Sequence, residues 1–316
     1  MRQANVAFSS VLTKIGDGEP LLPEEKTMIE SRFVEREFVD REYLQSVRLF
    51  FRTHDVHQFN SESICGAEMI EYVAADHYTG HHTTEQLASV RAKVHKLKPD
   101  EIGGLPYILR LHIGKPYMVT TNVDVLDGLV NGAIGTLRYI DRNAETSAIK
   151  RLWLCFDDSK ISCLLRVKAQ AHLLANPDFD HSWTPISQRT CNVHTTSKIV
   201  TCKRTQFPLV EACAITIHKS QGGTYDTIVY EYSKSHEQQL VYVALSRATS
   251  LNGLYLTNRD GDHVFYHHRG KVNRELRNEF ARLECLRLKT IGNTCRDFLD
   301  RSLQSDFTSL SLCTQS

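Results

Sequence analysis

Several features that mark other classes of protein are missing from this sequence of 316 residues. No uninterrupted apolar run approaches the roughly 20 residues needed to cross a bilayer, and the first residues lack the apolar core of a secretory signal. The 9 cysteines are scattered and form no C-x-x-C pair. These absences exclude membrane-spanning proteins and secreted, disulfide-stabilised ones, and they predict an intracellular protein with reduced thiols.

The chain also has no large net charge, because its 38 lysines and arginines nearly balance its 37 aspartates and glutamates, which gives a net charge of +1. Contact with a polyanion must therefore come from a local basic stretch. Between Asp180 and Glu211 there is no acidic residue. The basic residues of that stretch are Arg189, His194, Lys198, Lys203 and Arg204. They predict a basic patch, with a chance fluctuation over a loop as the alternative.

One group of possible metal ligands lies in the same stretch. Cys191 and His194 form a C-x-x-H pair, which Cys202 follows. A structural zinc site takes four ligands, and no fourth ligand is evident in the sequence. We therefore favour free thiols over zinc.

Hydrophobic periodicity predicts helices and strands that alternate at both ends of the chain. The elements predicted in the first part are a helix from Phe8 to Ile15, a second helix from Pro23, a strand at Val47–Phe51 and a helix at Thr53–Asn60. Those predicted in the last third are a helix at Val210–Gln221, a strand at Thr227–Tyr230, a helix at His236–Ala248 and a strand at Leu254–Leu256. Strand, helix and strand joined by short turns indicate a parallel crossover.

The middle third has a different pattern, in which short apolar segments alternate with turns. Arg151–Phe156 and Ser162–Val167 are predicted strands. Asn131-Gly132 predicts a hairpin between residues 128–130 and 136–140, because Asn-Gly accepts positive φ. This part is expected to be a small antiparallel β unit inserted between α/β segments.

Five segments, in this order, resemble motifs of superfamily 1 helicases, most closely the Pif-type branch related to RecD. The first is a helical stretch at Phe8–Arg32, also similar to Helitron transposon helicases, and the second is Arg48–Asn60, which is similar to the fourth motif, L-F-x-T-N-x-x-V-x-x-x-N. Residues Leu111–Gly132 resemble a Pif-type segment. Ile215–Thr224 and Tyr242–Ala248 resemble the fifth and sixth motifs. The resemblance implies an α/β fold, namely a second RecA-like lobe with an inserted, barrel-like β unit.

The resemblance also implies site residues for two ligands. Arg247 would be the arginine finger that meets the γ-phosphate of ATP, and Gln221 and Gly222 would lie towards the nucleotide. The residues that would contact single-stranded DNA are Thr53, Thr216, His218, Lys219 and Ser220. His54 stands where the fourth motif usually has asparagine.

The phosphate-binding half of such an enzyme is missing from this sequence. It contains no G-x-x-x-x-G-K-[ST] motif and no strand that ends in a magnesium-binding acidic pair. ATP and Mg²⁺ are therefore expected only together with a missing N-terminal RecA-like lobe. The chain is interpreted as a gene fragment or as a decayed transposon-type remnant.

The expected domain limits follow from these assignments. They are a leading helical segment at 1–45, the lobe at 46–105 and 206–265, the β insertion at 106–205, and a helical or disordered tail at 266–316.

The resemblance implies that the chain is the C-terminal part of a helicase that moves 5′ to 3′ on single-stranded DNA. Such a helicase would act in DNA repair, recombination or telomere maintenance. It is expected in the nucleus or the mitochondrion, without a membrane partner. The alternatives are a non-catalytic strand-binding module and a plain interaction protein.

Overall fold

A computed structural model describes residues 6–43, 46–66, 68–80, 83–143, 145–175, 179–194 and 200–266, and seven residues between 278 and 286. The chain forms two compact units, and the first extends to His267 without Gly18–Pro20. In the second unit, residues 278–279, 281–283 and 285–286 are helical. Most of the predicted tail therefore lies outside the described residues. No helix in the described part is long and apolar enough to span a membrane.

The elements of the first unit are numbered in chain order. The helices are α1 (Val6–Asp17), α2 (Pro23–Glu30), α3 (Arg36–Glu42), α4 (Thr53–Ser63), α5 (Thr84–Val94), α6 (Cys163–Lys168), α7 (Gln170–Ala175) and α8 (Gln238–Leu245), with a 3-10 turn at Pro99–Glu101. The strands are β1 (Val47–Phe50), β2 (Ile70–Val73), β3 (Ala75–Thr79), β4 (Ile108–Leu111), β5 (Pro116–Val119), β6 (Ile134–Arg142), β7 (Ile149–Phe156), β8 (Trp183–Ile186), β9 (Arg189–Val193), β10 (Thr201–Gln206), β11 (Leu209–Glu211), β12 (Ala214–Thr216), β13 (Ile228–Glu231) and β14 (Leu254–Thr257).

Four parallel strands form one sheet in the order β12-β1-β13-β14. Phe50 of β1 pairs with Thr216 of β12, and Leu49 pairs with Tyr230 of β13. Leu49 and Ile228 are fully buried, as expected in a parallel sheet that is covered on both faces. This sheet confirms the predicted α/β lobe.

The leading helices pack on this lobe through one apolar stripe. Phe8 and Ile15 of α1 have no exposed surface and belong to the core that holds the parallel sheet. Helix α2 begins at Pro23, whose fixed φ suits the first helical position. Glu25 of α2 pairs with Lys14 of α1 at 2.7 Å. The helical prediction for this segment is confirmed.

The insertion consists of antiparallel sheets. Its largest sheet has the order β11-β5-β6-β7-β8, and Leu137, Leu152 and Leu209 are fully buried in its core. Strand β2 pairs with β4, and β3 pairs with β10. This pairing favours a start of the insertion near residue 70, whereas the predicted limit was 106; the domain limits themselves stay a prediction.

Two element predictions are wrong. Val210–Gln221 is not a helix but contains β11 and β12 followed by a turn, because a short, fully buried apolar run has the same composition in a helix and in a buried strand. Ser162–Val167 is not a strand: Ser162 directly precedes α6, and the other five residues lie within that helix. The Asp127 carboxylate accepts the N–H groups of Leu164 at 2.8 Å and Leu165 at 2.9 Å, so a side chain distant in sequence caps this helix.

The hairpin prediction at Asn131-Gly132 is confirmed for the turn and wrong for one strand. Gly132 has a φ of +95°, and its N–H donates to the carbonyl of Val119 at 2.8 Å. The strands it joins are β5 and β6. Residues 128–130 instead belong to the compact loop between them.

Candidate nucleic-acid and nucleotide interface

The segment that resembles the fifth motif forms a tight turn, here called the 216–223 turn, at the carboxyl end of β12. The N–H of Ile217 donates to the carbonyl of Phe50 at 3.0 Å, so the turn begins at the sheet edge where β1 ends. The N–H of Ser220 donates to the carbonyl of Thr216 at 3.1 Å, and the N–H of Gly223 donates to that of Ser220 at 3.0 Å. The predicted location at a helix end is therefore corrected to a turn after a strand.

The predicted DNA-binding residues of this turn differ in exposure. His218 and Lys219 are exposed and Thr216 is half-buried, whereas Ser220 is fully buried. The Ser220 hydroxyl donates to the carbonyl of Ile217 at 2.6 Å, and the Thr216 hydroxyl accepts the N–H of Lys219 at 3.3 Å. Two side chains therefore stabilise the turn while two others face solvent. DNA contact at these positions stays a prediction.

Arg247 lies two residues after the end of α8, and its guanidinium is held against the 216–223 turn. Its Nη1 donates to the carbonyls of Gly223 at 3.0 Å and Ser220 at 3.4 Å. Its Nε donates to the carbonyl of Val243 at 2.9 Å, and its Nη2 to the hydroxyl of Ser246 at 2.9 Å. The side chain is half-buried. The fifth-motif and sixth-motif candidates are thus one hydrogen-bonded unit.

The two other predicted nucleotide-side residues lie within this unit. Gln221 and Gly222 are both exposed, and Gly222 has a φ of +87°, a conformation that favours glycine. Tyr225 follows, and its N–H donates to the carbonyl of Arg247 at 2.9 Å. Burial raises the pKa of Tyr225, and the positive charge of Arg247 opposes that rise. Contact of Gln221 and Gly222 with ATP stays a prediction.

Sequence reasoning missed the role of Asn60, which anchors the strand that leads into the turn. Its side chain is 7% exposed. Its Nδ2 donates to the carbonyls of Ala214 at 3.0 Å and Glu211 at 3.2 Å, and its Oδ1 accepts the N–H of Ala214 at 2.7 Å. The signal in the sequence was the last asparagine of the fourth-motif pattern, which falls on the inward face of the predicted helix.

The start of α4 carries the other predicted DNA-binding residue. Thr53 is exposed and is the first residue of α4. Leu49, Val56 and Asn60 are buried, and they fix the register of the fourth-motif pattern. In that register, Arg52 stands at the threonine position, and the asparagine position falls on Thr53 and not, as predicted, on His54. The structure therefore adds Arg52 as a candidate, while the assignment of Thr53 stays a prediction.

The basic patch predicted between residues 180 and 211 is only partly present. Arg204 has no exposed surface and pairs with Asp76 at 2.7 Å, so its inclusion in a surface patch was wrong. Lys198 lies outside the described residues. Arg189 and Lys203 are exposed, but Arg189 donates to the carbonyls of the 122–123 segment at 3.1 and 3.3 Å. Among the described residues, the exposed basic side chains of this stretch are therefore Arg189, His194 and Lys203.

The described residues contain no group of three or more His, Cys, Asp or Glu side chains arranged to hold a metal ion. Cys191 donates to the carbonyl of Asn192 at 3.3 Å. Cys202 is buried, and burial raises the pKa of its thiol. Neither thiol is arranged as a metal ligand within this part of the chain.

Comparison with known proteins finds similarity to helicases in these segments. A model of the UvrD-like helicase C-terminal domain matches residues 211–255, which include the 216–223 turn and Arg247. The ATP-dependent DNA helicase PIF1 of Danio rerio is 32% identical over 154 residues, or 48% of this chain and 20% of that protein. The protein of the same name from Candida albicans is 44% identical over 68 residues, or 22% of this chain and 8% of that protein.

Solved structures share the fold over a longer range. The crystal structure of the Pif1 helicase from Candida albicans aligns with a TM-score of 0.59 at 23% identity, over 90% of this chain and 59% of that chain. The structure of Pif1 helicase from Bacteroides in complex with ADP-AlF3 and ssDNA aligns with a TM-score of 0.56 at 20% identity, over 90% of this chain and 55% of that chain. This chain thus spans only a part of the relatives it matches.

The parallel sheet and the inserted antiparallel sheets form an α/β lobe of the RecA-like kind, and its residues 211–255 are similar to the UvrD-like helicase C-terminal domain. More particularly, the chain is homologous to the Pif1-family ATP-dependent DNA helicases and corresponds to their C-terminal portion.

Proposed function

We propose that this chain supplies the second RecA-like lobe of an ATP-dependent helicase that moves 5′ to 3′ on single-stranded DNA. The observation that supports it is the direct hydrogen bonding between Arg247 and the 216–223 turn. If this arginine moves, its hydrogen bonds to the carbonyls of Ser220 and Gly223 in the turn must change as well. The arrangement suits a motor in which nucleotide chemistry and strand contact are coupled.

The proposed strand contact lies at the carboxyl edge of the parallel sheet. His218 and Lys219 present a donor-rich pair of side chains to solvent, and Thr53 lies after the neighbouring strand. Such groups bind phosphate oxygens and fix the position of a strand without reading its sequence. Lys219 has Asp100 at 3.9 Å, a distance at which an exposed pair contributes little and is readily replaced by phosphate.

The proposed nucleotide contact is Arg247, supported by Gln221 and Gly222. A guanidinium beside the γ-phosphate stabilises the charge that spreads over the transferring phosphoryl group. ATP and Mg²⁺ would be held chiefly by residues of a first lobe, since this sequence has no G-x-x-x-x-G-K-[ST] motif. The chain alone is therefore expected to bind a strand without hydrolysing ATP.

A second candidate is a strand-binding remnant that performs no chemistry, and the same missing motif favours it. Both candidates predict strand binding by the isolated chain, and they differ once a first lobe is added. A working lobe would restore DNA-stimulated ATP hydrolysis together with the first lobe of a related helicase. A remnant would not.

The test starts with a fluorescently labelled oligo-dT, whose anisotropy reports binding. Substituting both His218 and Lys219 by alanine should weaken binding and lower the slope of log affinity against log salt by about 0.7 for each lost phosphate contact. Lys150, exposed on β7 of the insertion, provides the matched control Lys150→Ala. Absence of binding by the unmodified chain at low salt, or robust ATP hydrolysis by the chain alone, would contradict the proposal.

A further inference from the structure

A cleft of about 220 Å³ opens at the carboxyl ends of β1 and β13, beside the surface used above. We call it the switch-point cleft. Its walls come from the chain around the end of β1, the chain around the end of β13 and two residues after β14, Arg259 and Asp260. The residues used below are Phe51, Arg52, Ser233, His236 and Arg259. None of these residues has a part in the proposed contacts of the 216–223 turn or of Arg247.

The topology of the parallel sheet places this cleft where such sheets bind ligands. In the order β12-β1-β13-β14, the chain leaves β1 towards β12 on one side and leaves β13 towards β14 on the other. The connections after two neighbouring strands therefore diverge, and a crevice opens between their carboxyl ends. In open α/β sheets the ligand binds in the crevice at such a switch point.

Two aromatic rings form one wall of the cleft. Phe51 is 40% exposed, which is unusual for a phenylalanine next to a buried strand, and its ring centroid lies 5.0 Å from that of His236. The Nδ1 atom of His236 accepts the N–H of Ser233 at 3.3 Å and lies 2.7 Å from the hydroxyl of Tyr230. The histidine ring is therefore fixed in orientation, with its proton on Nε2 in the neutral form.

The ionisation of His236 suits a stacking surface. Burial lowers the pKa of His236, and the nearby charge of Arg52 lowers it further. Both effects favour the neutral ring, and an aromatic base can stack against it. Stacking of this kind tolerates any base, because every base has a flat face.

The two arginines of the cleft differ in their ion pairs with carboxylates. Arg259 donates to Glu231 at 2.6 Å and lies 3.4 Å from Asp55, so its charge is balanced by carboxylates. Arg52 is exposed and makes no ion pair within the described residues. It also precedes α4, whose first turn has no side-chain cap. Arg52 is thus the cation of this cleft that is placed to meet an anion.

We propose that the switch-point cleft binds one nucleotide unit of a single strand, with the base against Phe51 and His236 and a phosphate against Arg52. The inference rests on the proposed function, because the strand would be the one that crosses the 216–223 turn. Phe50 and Thr216 are paired neighbours at the edge, and adjacent strands lie about 4.8 Å apart. A polynucleotide that lies along the edge therefore reaches both places. A free mononucleotide offers the same chemistry, and the experiment separates the two sources.

The experiment compares two labelled oligonucleotides of equal length, an oligo-dT and an abasic one that keeps only sugars and phosphates. Phe51→Ala should weaken binding of oligo-dT by about tenfold, in the range that one stacked base contributes, and leave the abasic affinity unchanged. Phe51→Tyr keeps the ring and should keep the affinity. Arg52→Gln should weaken both oligonucleotides and lower the salt slope by about 0.7.

Matched controls come from α3. Phe38 is 37% exposed and Arg41 is exposed, so Phe38→Ala and Arg41→Gln change the same residue types outside the cleft and should have less than a twofold effect. Equal losses of Phe51→Ala on both oligonucleotides, or no loss on either, would overturn the inference and leave the proposed function standing. Tight, Phe51-dependent binding of thymidine monophosphate alone would identify a free-nucleotide site and overturn it as well. No binding of oligo-dT by the unmodified chain would overturn both proposals.

Discussion

Arg204 and Arg247 are the same side chain in two different settings. Arg204 has no exposed surface, it donates to both carboxylate oxygens of Asp76 at 2.7 and 2.8 Å, and its charge lies 5.1 Å from the ring centre of Tyr107. Arg247 is half-buried, and the acceptors of its guanidinium include carbonyl and hydroxyl oxygens of nearby residues. Both arginines are oriented by several hydrogen bonds, but only Arg247 keeps part of its surface exposed. The first setting serves stability, and the second leaves part of the side chain at the surface of the candidate site.

The largest expected effect tests the chemical half of this comparison. In a complex with a first lobe that supplies the phosphate loop, Arg247→Lys should lower DNA-stimulated ATP hydrolysis by about 10³-fold, the lower bound for loss of an arginine finger. Lysine keeps the charge but cannot present the planar fork that bonds several oxygens at once. Steady-state phosphate release measures the rate.

Arg41→Lys is the matched control for that experiment, because Arg41 is exposed and its bond goes to the adjacent Glu42. It should leave the rate unchanged. Retention of more than a tenth of the activity by Arg247→Lys would show that Arg247 positions the turn without acting on the nucleotide.

The structural half of the comparison predicts a large loss of stability at Arg204. Arg204→Ala leaves the Asp76 carboxylate buried without its partner, and breaking a buried pair from one side costs about 3–5 kcal/mol of unfolding free energy. Urea denaturation followed by circular dichroism measures the loss. Lys203 is exposed on the same strand, so Lys203→Ala should stay within about 0.5 kcal/mol of the unmodified chain. Similar losses for the two variants would contradict the distinction.

A smaller effect is expected at Asn60, which links stability to the candidate site. Asn60→Ala leaves the carbonyls of Glu211 and Ala214 without its donor, at about 1–3 kcal/mol of unfolding free energy. It should also weaken oligo-dT binding, because β12 leads directly into the 216–223 turn. Gln58→Ala, on the exposed face of α4, is the control for both measurements. Lost stability with unchanged DNA affinity would mean that Asn60 does not position the turn.

The sequence was sufficient for the elements whose signal is local. The apolar stripe of α1, the strands β1, β13 and β14, and the glycine turn at Gly132 were all predicted from neighbouring residues. It was not sufficient where a distant side chain determines the local structure. Asp127 caps α6 from outside that helix, and Asn60 holds the start of β12 across 154 residues of sequence.

The candidate site shows the same limit. The motif residues of the fifth and sixth segments were found from their order along the chain, and the structure brings them together through Arg247. The basic stretch failed at Arg204 because a count of charges along the sequence does not include the carboxylate that neutralises one of them, Asp76 in β3. The cleft beside Phe51 was also missed, because it forms only when two strands distant in sequence become neighbours.

The smallest expected effect is a pH dependence of stability that arises beside Arg204. His95 stacks on Tyr107 at 3.8 Å, next to Arg204. Burial lowers the pKa of His95, with Arg204 and Arg91 adding to the shift and Asp76 opposing it. An unfolded histidine titrates near pH 6.5. As the pH falls below that value, the unfolded chain takes up a proton more readily than the folded chain, so stability present at pH 7.5 is lost on acidification.

His95→Gln should therefore reduce the loss of stability between pH 7.5 and pH 5.5, measured by urea denaturation at both values. His236, whose pKa is lowered as well, contributes in the same window, so the difference between the variant and the unmodified chain is the quantity to compare. His57→Gln, at an exposed position of α4, should leave the pH dependence unchanged. If His95→Gln and the unmodified chain lose the same stability between the two pH values, His95 does not contribute to the pH dependence of the unfolding free energy.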